Sequence, residues 1–134
     1  MWISNISSIV FTRVKVDGLK KLKTKYPNIY FTTSDKAQKN PEFPTVYIHE
    51  LPGKENGNDL ENSFINSAIF TFQIEVTDNV SQNRTREVMD EIMGIMKKMR
   101  FSVVGMPEFN NTDTYRGIAR FRRTIDWNDN ITNQ

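Results

Sequence analysis

The segment from Ala68 to Val76 alternates between apolar residues and a second set that is mostly polar. Because successive side chains of a β-strand point to opposite sides, this pattern predicts a strand with one buried and one largely solvated face. Each large apolar side chain that becomes fully buried contributes roughly 1.5–3 kcal/mol. We therefore expect this strand to anchor the fold through its inward-facing residues, which are Ala68, Phe70, Phe72, Ile74 and Val76.

An amphipathic helix is predicted from Ser4 to about Tyr26, where apolar residues recur at helical spacing among several lysines. Pro27 ends this helix, because proline has no amide hydrogen and disfavours helical geometry in the residue before it. The lysines near its end suit the negative pole of a helix.

A second helix is predicted after Ser81, a residue type that commonly caps helix N-termini. Its apolar residues are spaced four, three and four apart, as one face of a helix requires. The methionines along it could form an adaptable binding surface, but their helical spacing favours core packing. The residues concerned are Val88, Met89, Ile92, Met93, Ile95, Met96 and Met99.

Four further β-prone segments predict strands at residues 29–33, 45–51, 101–106 and 115–127. A polar run from Pro52 to Asn62 predicts a long loop, and a polar turn is predicted at residues 110–113. The resulting order is α-β-β-β-α-β-β, with helices too few and too unevenly placed for an alternating parallel fold. We therefore predict an α+β fold, with a mostly antiparallel sheet of about five strands and two packed helices. Residues 1–127 should form a single domain and residues 128–134 a frayed tail.

The composition excludes several kinds of chemistry. With no cysteine and a single histidine, His49, the chain cannot form disulfides, thiolate metal sites, cysteine nucleophiles or multi-histidine sites. No segment approaches the roughly 18 apolar residues of a membrane span, and the first residues lack the pattern of a signal peptide, so a soluble cytoplasmic chain is expected. The net charge of +2, from 18 basic and 16 acidic residues, gives no general reason to expect a polyanionic partner.

Two groups of carboxylates remain as candidates for acid–base chemistry or for a divalent cation. Neither has the spacing of a calcium-binding loop, and charged side chains on a polar loop are usually just solvated. His49 has no partner at the spacing of a known catalytic motif. We therefore predict a protein that is not an enzyme and that binds no metal or cofactor. The two groups are Asp35, Glu42 and Glu50, and Glu55, Asp59 and Glu61.

Alternation along the last strand places three arginines, Arg116, Arg120 and Arg122, on one face. This arginine row has three interpretations. It could be a solvated sheet face whose charges pair with acids such as Glu75, a subunit interface, or a contact with phosphates. The opposite face of the strand would carry Tyr115, Ala119, Phe121, Arg123 and Ile125.

Several short segments also carry a family resemblance when they are taken in order along the chain. They are Phe43-Pro44-Thr45-Val46, Glu50-Leu51, a Gly/Asn/Asp loop, Phe72-Gln73-Ile74-Glu75-Val76, Asp78-Asn79, Ser81-Gln82, Arg84-x-Arg86-x-Val88-Met89, Gly105-Met106-Pro107 and Tyr115-x-x-x-Ala119-Arg120-x-Arg122-Arg123. Together they resemble the tail terminator, or tail-completion, proteins of long-tailed siphovirus-type bacteriophages. The resemblance extends over roughly residues 10–127.

This resemblance implies a structural virion protein with an α+β subunit. Its copies would form a ring, commonly a hexamer, that terminates the tail tube and provides the docking surface for the head. The implied partners are other copies of the chain, the tail tube protein and the head-completion protein. The implied location is the head-proximal end of the virion tail, after assembly in the host cytoplasm.

The same resemblance suggests roles for two surfaces. The polar loop would contact a neighbouring subunit or the tube, and the arginine row would line an interface or a channel with transient, non-specific DNA contact. The main alternative is a small basic nucleic-acid-binding module that uses the arginine row, and a hydrolase that uses the loop carboxylates is a third reading. The candidate loop residues are Lys54, Glu55, Asn56, Asp59 and Glu61.

Overall fold

The order of elements along the chain is the predicted one. A computed structural model describes residues 2–34, 42–58, 65–111, 114–129 and 131. The elements are α1 (Ile3–Leu22), β1 (Tyr30–Thr32), β2 (Thr45–Asn58), β3 (Ile65–Asp78), α2 (Gln82–Lys98), β4 (Ser102–Asn111) and β5 (Tyr115–Asp126). The five strands form one sheet in the order β1-β2-β3-β5-β4, in which only β1 and β2 pair in parallel. The predicted α+β class with a mostly antiparallel sheet is confirmed.

The anchoring strand predicted from the alternating pattern is β3, the middle strand of the sheet. It pairs antiparallel with β2 on one side and with β5 on the other. Its inward residues meet apolar partners on both neighbours, since Ile74 lies opposite both Ile48 and Ala119. This position explains why the strand has the clearest pattern in the sequence, since a central strand buries one complete face.

Both helices cover the same face of the sheet. The Trp2 ring, at the start of α1, meets the Phe70 ring of β3 edge to face at 6.1 Å between centroids. Further along α1, Gly18 lies so close to β1 that an added Cβ would come within 2.6 Å of Phe31 Cζ. The methionines of α2 are predominantly core residues as predicted, because Met89 and Met96 are completely buried.

The N-terminus of α2 is capped as predicted. The Ser81 hydroxyl accepts a hydrogen bond from the backbone N–H of Arg84 at 3.3 Å. The buried carboxylate of Asp78 accepts further hydrogen bonds from the backbone N–H groups of Val80 and Ser81. These contacts satisfy amide groups that a helix start and its preceding turn would otherwise leave unpaired.

The predicted loop from Pro52 is wrong, because β2 continues through Asn58 and pairs with β3. The register shifts between Leu51 and Lys54, and this irregularity accommodates Pro52, which cannot donate to the ladder. Backbone pairing with β3 therefore overrides the polar composition that suggested a loop. Similarly, β4 extends through Asn111 into the predicted turn. The remaining predicted loop and turn residues, 59–62 and 112–113, lie outside the described residues.

Two residues of the C-terminal tail that was expected to fray contact the rest of the fold. Asp129 pairs with Arg123 at 2.6 Å, and Ile131 is 3% exposed. The buried Arg123 guanidinium needs a carboxylate partner, and this need fixes the chain beyond β5. Residues 130 and 132–134 of the predicted tail lie outside the described part.

A polar cluster joins the end of α1 to the start of α2. The Tyr26 hydroxyl donates a hydrogen bond to Glu87 at 2.8 Å, and Lys25 Nζ lies 2.6 Å from the same carboxylate. Burial of the phenol, followed by its hydrogen bond to Glu87, raises the pKa of Tyr26 to about 12. Hydrogen bonds from Lys25 and then Tyr26 lower the pKa of Glu87 below its ordinary value.

Within the described residues, neither helix is long and apolar enough to cross a membrane.

Candidate interaction face

The sheet has a face that is opposite the helices, which we call the open face. Gln73 of β3 lies on this face between His49 of β2 and Arg120 of β5, its partners in the register. Glu75 lies one step further along, between Tyr47 and Ile118. Because neighbouring strands are about 4.8 Å apart, side chains in such rows are close enough to interact.

The arginine row lies on the open face, as predicted. Arg120 and Arg122 are exposed and Arg116 is half-buried, whereas Phe121 and Arg123 are buried on the helix-covered face. The sequence pattern therefore separated the two faces of β5 correctly, including the single arginine that points into the core.

Two of the three arginines in the row already have partners. Arg116 Nη2 lies 2.6 Å from Glu75 Oε1, and Arg120 Nε donates to Gln73 Oε1 at 2.9 Å. Gln73 in turn donates to Glu75 at 3.3 Å, so the four side chains form one connected network. The interpretation of the row as a face whose charges pair with Glu75 is thus confirmed for Arg116. Arg122 is exposed, and its side chain has no hydrogen-bonding or ionic partner among the described residues.

An open groove of about 450 Å³ runs beside this network, between β5 and the edge strand β4. Its wall includes three apolar side chains, those of Val104, Met106 and Ile118. Met106 is 71% exposed and Val104 is 46% exposed, which is unusual for large apolar residues on one short segment. Sequence reasoning missed this patch, because β4 was expected to end at Met106 and nothing in its pattern marks it as an edge.

Two irregularities in the pairing of β4 with β5 shape this edge. The register shifts between Val103 and Gly105 and again between Gly105 and Glu108. Gly105 lies against Arg120, where an added Cβ would be 3.3 Å from Arg120 Cβ. Pro107 is tolerated because an edge strand leaves one row of backbone groups unpaired. Bulges and proline in an edge strand are typical ways to limit uncontrolled pairing with other sheets.

The candidate loop residues are not assembled into a site by the described structure. Lys54, Glu55 and Asn56 belong to the backbone of β2, where they lie opposite residues of β3. Their side chains, and the whole of Asp59 and Glu61, lie outside the described part. The prediction that these five residues contact a neighbouring subunit or the tube remains a prediction.

Groups of three or more His, Asp or Glu residues that could hold a metal ion do not occur among the described residues. Glu50 lies opposite Phe72 of the helix-covered face, whereas His49 is exposed on the open face. The ring of His49 stacks with that of Tyr47, with 5.7 Å between centroids. His49 therefore lies on the other face of the sheet from Glu50, the nearest carboxylate in its strand.

Neither the family models nor the curated proteins compared with this chain give a match. Function is therefore interpreted from the residues and their arrangement. The open face, with the arginine network on β5 and the apolar edge of β4, is the candidate interaction surface.

Proposed function

We propose that this chain is a structural subunit of a long-tailed bacteriophage. Its copies form a ring, commonly hexameric, that ends the tail tube and offers the docking surface for the head. Its partners are other copies of itself, the tail tube protein and the head-completion protein. The proposal rests on the family resemblance of the sequence and on one structural observation, the apolar edge of β4.

The edge of β4 has two properties that suit a subunit contact. Away from its two bulges and Pro107, the strand presents unpaired backbone N–H and C=O groups, which a neighbouring chain can bind. Exposed Met106 and Val104 add apolar area that would be buried by such a contact. A ring requires a head-to-tail contact, in which this edge meets a different surface of the next copy.

The arginine network supports a positioning role beside that edge. Arg116 and Arg120 are held by Glu75 and Gln73, so their side chains are fixed before any partner arrives. Polar groups at the rim of an interface mainly set the orientation and the partner choice, while apolar contacts at its centre supply affinity. We therefore place Met106 at the centre of the contact and the network at its rim.

The first experiment measures assembly. Light scattering should give a discrete oligomer several times heavier than the 15.7 kDa chain, and electron microscopy should show rings with an open centre. A strict monomer at high protein concentration would contradict the proposal.

A second experiment tests the tail-specific role. Adding the purified chain to a self-assembling preparation of siphovirus tail tubes should stop tube growth, seen as shorter tubes in micrographs. Rings that leave tube length unchanged would support an assembly protein but would refute the role in ending this tube.

A further inference from the structure

Positive charge is concentrated in the helical layer. Residues 2–25 and 82–100, which contain α1 and α2, hold eleven of the 18 basic residues but only four of the 16 acidic residues. These segments therefore carry a formal charge of +7 although the whole chain carries only +2. The near-neutral total hides this segregation, because the rest of the chain carries −5. The distribution, rather than the sum, determines the field that a charged partner meets.

Much of this charge is available to a partner. Four of the eleven cations are paired with acids, at Arg13–Asp17, Lys21–Glu91, Lys25–Glu87 and Arg84–Asp78, and Arg86 lies over the ring of Phe109. The side chains of the other six have no ionic or hydrogen-bonding partner among the described residues, and all six residues are exposed. They are Lys15, Lys20, Lys23, Lys97, Lys98 and Arg100.

The two helices form a groove in which some of these cations converge. The pairs Lys25–Glu87 and Lys21–Glu91 show that α1 and α2 run antiparallel, side by side. Beyond these pairs lies a groove of about 340 Å³, lined by Arg13, Asp17, Lys20, Lys21, Ile95 and Lys98. A helix of 20 residues such as α1 is about 30 Å long, which is close to one turn of duplex DNA.

The chemistry of this surface favours a phosphate backbone over an acidic protein. Lysine is depleted in protein–protein interfaces, which need an apolar centre, yet five of the six unpaired cations are lysines. It also favours a duplex over a single strand, because single-strand binding relies on exposed aromatic rings. Trp2, which precedes α1, and Phe11, within it, are partly buried, and α2 contains no aromatic residue.

We infer that the helical layer, centred on the groove between α1 and α2, binds the phosphate backbone of double-stranded DNA without sequence preference. This surface lies on the other side of the sheet from the arginine row. It is a property of a single chain, so it holds whether or not the chain forms a ring. With about four phosphate contacts, affinity should fall roughly 100-fold between 50 and 200 mM salt.

The test uses fluorescence anisotropy of a labelled 20-base-pair duplex, titrated with the full chain at several salt concentrations. The double variant Lys20→Gln/Lys98→Gln removes two unpaired charges from the groove. Because this variant loses about two phosphate contacts, its affinity for DNA should fall by only about tenfold over the same salt range. The comparison variant Arg122→Glu also lowers the charge by two units, but on the open face and outside the Arg116–Arg120 network, and it should keep the wild-type salt dependence.

A gain of binding provides a check that misfolding cannot imitate. Asp90 is an exposed acid on α2 that none of the described residues pairs with, so Asp90→Asn should tighten DNA binding a few-fold. All variants are compared at concentrations where light scattering gives the same mass as wild type.

Four results would overturn the inference. The first is DNA binding by the wild type that does not depend on salt, and the second is loss of DNA binding in the open-face variant but not in the groove variant. The third and fourth are binding to vesicles of anionic lipid, or to polyglutamate of the same charge, that is as tight as binding to the duplex or tighter. The last two would assign the surface to a membrane or to an acidic protein.

Discussion

The guanidinium of Arg123, buried on the helix-covered face of β5, lies 2.6 Å from the carboxylate of Asp129 beyond the end of the strand. Its second nitrogen donates to the backbone carbonyl of Met99 at 2.7 Å. One arginine therefore joins the end of α2, strand β5 and the segment that follows it. A buried cation is stable only when its charge is paired and its N–H groups are bonded, and both conditions depend on Asp129 staying in place.

Replacing Asp129 with alanine should destabilise the protein by about 2 kcal/mol, because it leaves the Arg123 charge buried without its partner. The matched control is Asp126→Ala, which removes an exposed carboxylate three residues earlier and should change stability by less than about 0.5 kcal/mol. Urea unfolding followed by circular dichroism measures both. Equal stability of the two variants would show that Asp129 does not hold the segment.

Two glycines in helices should respond to alanine with opposite signs. At Gly18 an added Cβ would come within 2.6 Å of the buried Phe31 ring. The clash outweighs the gain in helix propensity, so Gly18→Ala should give a net destabilisation of about 1 kcal/mol. At Gly94 nothing lies within 4 Å, so Gly94→Ala should stabilise by about 0.5–1 kcal/mol. Urea midpoints compared with wild type test the pair. Stabilisation by both substitutions would mean that α1 does not pack closely on β1.

One of the four tyrosines should ionise near pH 12, because burial and the hydrogen bond to Glu87 raise the pKa of Tyr26. Since the folded-state pKa lies above the ordinary value of 10.0, this group contributes stability that is present below pH 10 and lost as pH rises toward 12. Phenolate absorbance measured during an alkaline titration should show this late step, and Tyr26→Phe should remove it.

Glu87→Gln provides the control, because it keeps the side-chain shape but removes the negative charge beside the phenol. The late step should then move to lower pH. An unchanged titration in both variants would contradict the contact between Tyr26 and Glu87.

The prediction from the sequence was most accurate for elements whose structure is determined by their own residues. In β3 the alternation of Phe70, Phe72 and Ile74 directly encodes which face is buried. In α2 the cap at Ser81 and the apolar spacing that follows it agree with each other. Local signals and tertiary packing point the same way at these positions, so the elements could be assigned without knowledge of their neighbours.

The errors occurred where a neighbour decides the structure. The polar end of β2 becomes a strand only because it pairs with β3, and this pairing cannot be read from the composition of the segment. Asp129 reaches Arg123, six residues earlier, because the chain turns directly after β5, and no local pattern in the sequence marks that turn. The candidate site divides in the same way. Alternation placed the arginine row correctly, but the exposed edge at Met106 depends on the strand order, which the sequence did not specify.

That edge gives the most specific test of assembly. Met106→Glu places a charge on a side chain that is 71% exposed, so the monomer should fold normally while any contact that buries this residue is disrupted. Val80→Glu is the matched control, because Val80 is 56% exposed in the turn before α2, away from the sheet edge. Light scattering should show smaller assemblies for Met106→Glu at concentrations where wild type and Val80→Glu remain oligomeric, with unchanged urea midpoints for all three. If Val80→Glu dissociates the oligomer and Met106→Glu does not, the subunit contact lies near α2 and the β4 edge is free for another partner.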